Sequence, residues 1–268
     1  MDMAVRSARV ALVGNPNSGK TALFNALTGA HQKVANYAGV TVERKEGVIR
    51  SATGRPMSVL DLPGTYSLRA RSPDEEVTRD AVLGRLAGEE SPDVIVAVAD
   101  ATNLRLAIRL VLELKRIGRP MVLVLNMIDL ARRQGIEIDT GKLATDLGMP
   151  VVTSTAVRKG GTADLLAFID GAVGASAEPQ PASEWVPPAA AEVKADQRMA
   201  DRIIAAAVSK PRLPDTLTGR LDAVLLHPVA GLLLLLVVLF VMFQAVFAWA
   251  EPLMEMVEGG FGALGELV

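Results

Sequence analysis

The chain has 268 residues, enough for one large or two modest domains, with a formal net charge of −2 and a sequence isoelectric point of about 5.8. This charge gives no indication of a surface that binds nucleic acid phosphates, and the absence of cysteine excludes disulfides, thiolate metal sites and cysteine nucleophiles. Hydrophobic residues make up 50% of the chain, and their concentration near the C-terminus points to a membrane segment there.

Short apolar runs alternate with helical patterns from Ala8 to about Ala172. Runs such as VIVAVA and MVLVLN are apolar throughout, which is typical of parallel strands covered on both faces. The stretch NLRLAIRLVLELKRIG has leucines at helical spacing and a glycine stop. The alternation predicts an α/β domain with a doubly wound, mostly parallel sheet over residues 1–173. The predicted strands are Arg9–Val13, Thr41–Arg50, Pro56–Asp61, Val94–Asp100, Pro120–Asn126 and Val151–Thr153.

The first predicted strand leads into GNPNSGKT, residues 14–21. Gly14 and Gly19 allow backbone N–H groups to converge on phosphate oxygens at the start of the next helix. Lys20 can reach the β- and γ-phosphates of a nucleotide, and the Thr21 hydroxyl can ligate Mg²⁺. The pattern predicts a phosphate-binding loop formed by Gly14, Asn15, Pro16, Asn17, Ser18, Gly19, Lys20, Thr21 and Ala22.

The stretch VLDLPG places Asp61 at the end of a strand, where a carboxylate can hold Mg²⁺ through a water molecule. Gly64 can offer its N–H group to the γ-phosphate because no side chain blocks the approach. Alone, the stretch would favour a simple turn. Combined with the phosphate loop, it predicts a second part of the nucleotide site, formed by Asp61, Leu62, Pro63 and Gly64.

Thr41 lies between a loop and a strand in NYAGVTVERKEG. A threonine here could ligate Mg²⁺ and sense the γ-phosphate as part of a nucleotide-dependent switch. Threonine also has ordinary strand propensity, and the residues alone do not decide between the two interpretations.

The stretch LVLNMIDL places Asn126, Met127 and Asp129 just after a buried strand. The Asp129 carboxylate can accept hydrogen bonds from N1–H and the 2-amino group of guanine, whereas adenine has neither donor. Asn126 is expected to brace the base and the phosphate loop, although a strand-end capping pair is the alternative. In TSTAVRKGG, a weaker signal, the backbone of Thr155, Ala156 and Val157 is expected to lie near the guanine O6.

The C-terminal third has a different composition. Residues 174–188 are predicted to be a linker and residues 189–222 a helical spacer region. Residues 223–250 are predicted to form a transmembrane helix, with a buried core helix as the less favoured alternative. Basic residues precede this span and glutamates follow it, so its N-terminal side is predicted to be cytoplasmic. Residues 251–268 are predicted to begin an incomplete membrane domain.

The stretches GNPNSGKTALFNALTG, AGVTVERKEG, DLPGTYSL and NMIDLA resemble the bacterial ferrous iron transport protein B family, and the resemblance extends over nearly the whole chain. It implies a P-loop GTPase domain, a helical spacer and a first membrane span of an Fe²⁺ transporter in the bacterial inner membrane. It also implies that Thr41 is the switch I Mg²⁺ ligand, with Gly39 and Val40 at the nucleotide, and that residues 66–73 belong to switch II. Asn17 matches the asparagine that the family ties to potassium activation.

Thr65 follows Gly64, where Ras-like enzymes carry the glutamine that orients the attacking water. We therefore expect slow, potassium-stimulated GTP hydrolysis, with K⁺ at Asn17 supplying positive charge and Asn17, Lys20, Thr41 and Gly64 as catalytic residues. A membrane-tethered guanine-nucleotide sensor with little hydrolysis is the alternative. A soluble ribosome-assembly GTPase ranks last because the chain has an apolar span and no basic RNA-binding patch.

One span cannot form an iron path, so we expect the remaining spans to belong to a longer protein or to a partner chain. Neither His31 nor His227 has a partner at metal-ligand spacing, and His227, before Pro228, is expected to start a helix. The predicted cofactors are Mg²⁺ and K⁺. The predicted partners are GTP or GDP, the lipid bilayer, Fe²⁺ as cargo, the remaining membrane domain and a second copy of the chain, without nucleic acid.

Overall fold

The chain divides into two compact units, Met1–Pro211 and Arg212–Val268. A computed structural model describes residues 7–29, 32–37, 41–50, 54–86, 88–154, 163–175, 185–209, 221–222, 224–249, 254 and 256–257. The strands are β1 (Ala8–Gly14), β2 (Gln32–Asn36), β3 (Glu43–Arg50), β4 (Pro56–Asp61), β5 (Val94–Asp100), β6 (Met121–Asn126), β7 (Glu137–Ile138), β8 (Val151–Thr153) and β9 (Val208–Ser209). The helices are α1 (Lys20–Thr28), α2 (Pro73–Leu83), α3 (Leu104–Lys115), α4 (Ile128–Arg133), α5 (Thr140–Leu147), α6 (Ala163–Ala175), α7 (Ala190–Ala207) and α8 (Ala230–Gln244).

The first unit contains a seven-stranded sheet with the order β2-β3-β4-β1-β5-β6-β8. The five strands from β4 to β8 in this order pair in parallel, whereas β2 and β3 run antiparallel at one side. The central strands β1, β5 and β6 are buried on both faces, as expected from their continuous apolar sequences. The carboxyl ends of the parallel strands lie along one edge of the sheet. The loops that follow β1, β4 and β6 therefore come together there.

The predicted strand Thr41–Arg50 begins instead at Glu43. The Tyr37 N–H group donates to the Val42 carbonyl (3.0 Å) and closes the connection between β2 and β3, so Thr41 lies in that connection. Strand β2 was not predicted from the sequence. It is an edge strand with Lys33 and Val34 exposed, and it therefore lacks the alternating apolar pattern of a half-buried strand.

Helix α3 presents a broad apolar face to the sheet. Its buried side chains include Ala107, Ile108, Leu110 and Val111, whereas Leu106 is exposed despite its helical spacing. The buried face follows the 3.6-residue period of a helix packed against a sheet. Helix α3 therefore packs into the core of the first unit through these side chains.

Helix α7, in the predicted spacer, packs against α3 and α5 within the first compact unit. Ala200, Ile203 and Ala207 are its buried residues. The Arg105 guanidinium donates two hydrogen bonds to the Asp201 carboxylate, both 2.7 Å long. After the helix, β9 pairs with β7 in a two-stranded antiparallel sheet. The spacer is therefore attached through apolar packing and short strand pairing.

In the second unit, α8 is followed by a π-helical turn at Ala245–Trp249. The segment Ala230–Phe247 has a mean hydropathy of 2.8 and meets the length and composition of a membrane span. His227 precedes the helix, and its Nδ1 atom accepts hydrogen bonds from the N–H groups of Val229 and Ala230 (both 3.3 Å). This confirms His227 as a helix-start residue.

Candidate functional site

The loop between β1 and α1 has the backbone conformation expected of a phosphate-binding loop. The Ser18 N–H group donates to the Asn15 carbonyl (3.2 Å), and Asn17 and Gly19 have positive φ angles of 63° and 82°. At Gly19 a Cβ atom would overlap with Nδ2 of Asn126, so this position requires glycine for both conformation and space. The loop therefore turns sharply into the N-terminus of α1.

Lys20 lies beneath this loop. Its Nζ atom donates to the carbonyls of Gly14 (3.1 Å) and Asn15 (3.2 Å), and the side chain is buried. Burial lowers the pKa of Lys20, while the nearby Asp61 carboxylate acts in the opposite direction. A buried ammonium held in this way would be stabilised by an anion in the loop.

Thr21 and Asp61 form a hydroxyl–carboxylate pair at the sheet edge. The Thr21 hydroxyl donates to Oδ2 of Asp61 (2.8 Å), whereas Oδ1 is buried and has no hydrogen-bond partner among the described residues. Burial raises the pKa of Asp61, and the Thr21 hydrogen bond and the Lys20 charge oppose that shift. An oxygen pair with an unsatisfied carboxylate oxygen fits a hard cation such as Mg²⁺.

A cleft of about 440 Å³ opens over this pair. It is lined by Lys20, Thr21, Thr41, Val42, Glu43, Lys45, Asp61, Leu62, Pro63, Gly64 and Asp74. Thr41 is exposed in this cleft. One space is therefore surrounded by residues from three separate stretches of the sequence: Lys20 with Thr21, Thr41, and Asp61 with Gly64.

The loop after β4 is tied to the phosphate loop. The Thr65 N–H group donates to the Gly14 carbonyl (3.1 Å), and Nδ2 of Asn15 donates to the Thr65 carbonyl (3.2 Å). At Gly64 a Cβ atom would lie 3.0 Å from Pro16, closer than ordinary contacts. A glycine at this position lets the two loops approach closely.

The end of β6 connects the predicted base-recognition motif to the predicted phosphate loop. Nδ2 of Asn126 donates to the Ser18 carbonyl (3.1 Å). Met127 has a positive φ angle of 58° and starts α4, which places the half-buried Asp129 in the first helical turn. The remaining predicted contact residues lie outside the described part of the chain: Gly39, Val40, Thr155, Ala156 and Val157.

The family model described as ferrous iron transport protein B matches residues 8–169. The chain belongs to the ferrous iron transport protein B family. The Fe(2+) transporter FeoB of Salmonella typhimurium is 44% identical over 170 residues, which cover 62% of this chain and 21% of that protein. The chain thus spans about a fifth of the length of the curated relatives that it matches.

Two solved structures of the cytosolic domain of the T. maritima FeoB iron transporter share the fold. The GMPPNP form has a TM-score of 0.64 at 29% identity and covers 75% of this chain and 99% of the solved chain. The GDP form II has a TM-score of 0.65 at 28% identity and covers 76% and 100%. The predicted fold, a doubly wound P-loop GTPase domain followed by helices, is therefore confirmed.

Two contacts around the site in this family member were not predicted from the sequence. The Thr78 hydroxyl donates to the Pro63 carbonyl (2.8 Å), and the Glu113 carboxylate binds the loop at Ser67 and Leu68. Glu113 lies three residues after Leu110, on the apolar face of α3. A charged residue at an otherwise apolar helical position was the available signal.

Proposed function

We propose that the chain is the GTP-binding and slowly GTP-hydrolysing cytoplasmic module of a ferrous iron membrane transporter. The observation that carries the proposal is the cleft lined by buried Lys20 and the Thr21–Asp61 pair. Asn126 supports the loop that precedes Lys20 through its hydrogen bond to the Ser18 carbonyl. Solved relatives of the family in GMPPNP and GDP forms support guanine nucleotide as the ligand. Asp129, half-buried at the start of α4, would select guanine by accepting from N1–H and the 2-amino group.

Thr21, Asp61 and Thr41 would hold Mg²⁺. The unsatisfied, buried Oδ1 atom of Asp61 and the adjacent Thr21 hydroxyl support this assignment. When bound, the ion neutralises negative charge on the β- and γ-phosphates. Lys20 acts on the same phosphates from beneath the loop. Burial lowers its pKa, so a bound anion would stabilise its charged form.

Hydrolysis would depend on how the protein holds the γ-phosphate and the attacking water. The Gly64 N–H group would donate to the γ-phosphate, and its loop is fixed to the phosphate loop through Thr65. Thr65 occupies the position where Ras-like enzymes carry a water-orienting glutamine. The Thr65 side chain is buried and donates to the Ser67 carbonyl (2.7 Å), so it does not replace that glutamine, and turnover is slow.

Asn17 would bind K⁺. Its side chain is exposed at the tip of the phosphate loop, and no hydrogen bond holds its amide among the described residues, so its carbonyl oxygen is available. A monovalent cation here supplies positive charge near the phosphates.

Phosphate release under multiple turnover tests this proposal. We expect GTP turnover to be faster in K⁺ than in Na⁺, and Asn17→Ala to lose that difference while still binding GDP. Equal turnover in the two salts, or potassium stimulation retained by Asn17→Ala, would contradict the K⁺ assignment. Guanine nucleotide binding without turnover in either salt would favour the alternative function, a membrane-tethered nucleotide sensor.

The helix α8 would anchor this module in the bacterial inner membrane with the nucleotide site on the cytoplasmic side. Its apolar length supports a span, and the family relationship supports Fe²⁺ as the cargo of the whole transporter. Because the chain spans only a part of its relatives, iron movement would require further spans. Iron uptake measured with this chain alone and with added membrane spans tests this requirement, and uptake by the chain alone would contradict it.

A further inference from the structure

Glu113 is a buried carboxylate whose partners belong to the loop after Gly64. The residue is 7% exposed in the last turn of α3. Its Oε2 atom accepts hydrogen bonds from the Ser67 hydroxyl (2.8 Å) and from the Leu68 N–H group (2.7 Å), and Oε1 lies 3.0 Å from the same hydroxyl. Glu113 is 46 positions from Ser67 and 45 positions from Leu68 in the sequence.

Several contacts hold this loop, including those made by Thr78 and Glu75, and two of them lie on either side of Tyr66. Thr65 is bound to the phosphate loop through Gly14 and Asn15, and Leu68 is fully buried next to Glu113. Tyr66, between these contacts, is 50% exposed. Gly64 immediately precedes Thr65, so the attachments of this loop constrain where the Gly64 N–H group lies.

A carboxylate is an unfavourable choice for packing alone. Burying it costs free energy unless donors satisfy it, and an apolar residue would fill the same face of α3 at a lower cost. In the part of the chain that the structure describes, both donors to Glu113 come from the loop, and both are neutral. The charge of Glu113 therefore serves to hold the loop rather than to balance another charge.

We propose that Glu113 is a positioning residue for GTP hydrolysis. By binding Ser67 and Leu68, it fixes the loop that presents the Gly64 N–H group to the γ-phosphate. It acts through this loop and does not itself contact the nucleotide. This inference rests on the proposed GTPase function.

The test uses the full chain in detergent, five single variants and one double variant. Glu113→Leu removes both acceptors but fills the apolar face, Glu113→Gln keeps one acceptor, Ser67→Ala removes one donor, and Ser67→Thr keeps the hydroxyl. Glu137→Gln removes a charge from an exposed carboxylate on β7 and serves as the matched control. For each protein, kcat and KM for GTP, Kd for GDP and the thermal midpoint are measured.

We expect Glu113→Leu to lower kcat about tenfold, as the loss of hydrogen bonds to a charged group would do, with KM and the GDP Kd within about twofold. Glu113→Gln and Ser67→Thr should keep more activity than Glu113→Leu and Ser67→Ala. The double variant Glu113→Leu/Ser67→Ala should be no slower than Glu113→Leu, because the second change removes a hydrogen bond that the first has already removed. Wild-type kcat in Glu113→Leu, or a parallel loss of GDP binding and kcat, would overturn the proposal.

Limited trypsin digestion separates this inference from the GTPase assignment. Arg69 and Arg71 are exposed just after the Glu113 contact, so release of the loop should speed cleavage there in Glu113→Leu but not in Glu137→Gln. If wild-type protein binds no guanine nucleotide, the proposed function fails, and the digestion still decides whether Glu113 holds the loop. Equal cleavage at these two sites in Glu113→Leu and wild type would overturn the inference.

Discussion

Guanine recognition is assigned to one carboxylate, that of Asp129 in the first turn of α4. In Asp129→Asn, the amide N–H group would face the 2-amino group of guanine, and two donors cannot pair. The same amide could donate to the 2-oxo group of xanthine. We expect the variant to lose about 100-fold in GTP affinity and to gain affinity for xanthosine triphosphate. Competition against a fluorescent GTP analogue measures both, with Asp146→Asn on α5 as the control. A variant that still prefers GTP would contradict the assignment.

Tyr37 provides a prediction of pH dependence. Its hydroxyl is buried with no hydrogen-bond partner among the described residues, and burial, followed by the Glu89 charge, raises its pKa to about 12. Because the unfolded tyrosine ionises near pH 10, the native state binds more protons between about pH 10 and 12. The free energy of unfolding should therefore fall as pH rises through this window, by up to about 1.4 kcal/mol per pH unit.

Tyr37→Phe should lack this component of the pH dependence. At pH 8 the variant should be as stable as wild type or more stable by up to about 1 kcal/mol, because it removes an unpaired buried hydroxyl. Urea unfolding at pH 8, 10 and 11 measures the difference. Tyr66→Phe, at the exposed tyrosine, is the matched control for the substitution. Parallel profiles for wild type and Tyr37→Phe would show that burial does not perturb this group.

At the scale of elements, attachment of α7 is predicted to depend on its apolar face. Ile203 is 4% exposed and belongs to the main core, whereas Met199 on the same helix is 40% exposed. Ile203→Ala should lower the free energy of unfolding by about 2–4 kcal/mol. Met199→Ala should change it by about 0.5 kcal/mol or less. Denaturant unfolding of both variants measures this, and equal effects would indicate that the helix is not held by packing.

The exposed pair Arg105–Asp201 should contribute much less to this attachment. Both side chains are solvent-accessible, and salt screens such pairs. Arg105→Gln should therefore leave the unfolding midpoint close to that of wild type at high salt.

The elements that the sequence predicted best are those whose burial constrains every residue. Strands β5 and β6 are apolar throughout because both of their faces are covered. A short, continuous apolar run of this kind has few structural interpretations other than a buried strand. Strand β2 has an exposed edge, and β7 and β9 are two residues long, so their formation depends on tertiary pairing rather than on local pattern. The sequence therefore contains little signal for them.

The candidate site likewise contains features that local sequence predicts and contacts that depend on tertiary packing. The sharp turn between β1 and α1 was predictable because its residues are contiguous and its glycines have a local conformational reason. Glu113 and Ser67 are separated by 46 positions in the sequence, and Asn15 and Thr65 by 50 positions. Only the packed structure brings each pair together. Glu113 was visible in the sequence only as a charge at an apolar helical position.

At the scale of the whole molecule, the chain combines a nucleotide-binding unit with an apolar helix long enough to cross a bilayer. In the first unit, α3 contacts both the loop after Gly64, through Glu113, and the spacer helix α7. The proposed nucleotide-dependent movement of that loop would therefore have a physical connection to the spacer through α3. Both the proposed hydrolysis and the proposed loop movement depend on guanine nucleotide binding in the cleft.

The measurement that tests this most directly is equilibrium binding of GTP and ATP to the purified chain with Mg²⁺ present. The account predicts that GTP and GDP bind, and that ATP binds weaker by about 10⁴-fold, because adenine would leave the Asp129 carboxylate without its donors. Equal affinity for the two triphosphates, or no binding of either, would contradict it.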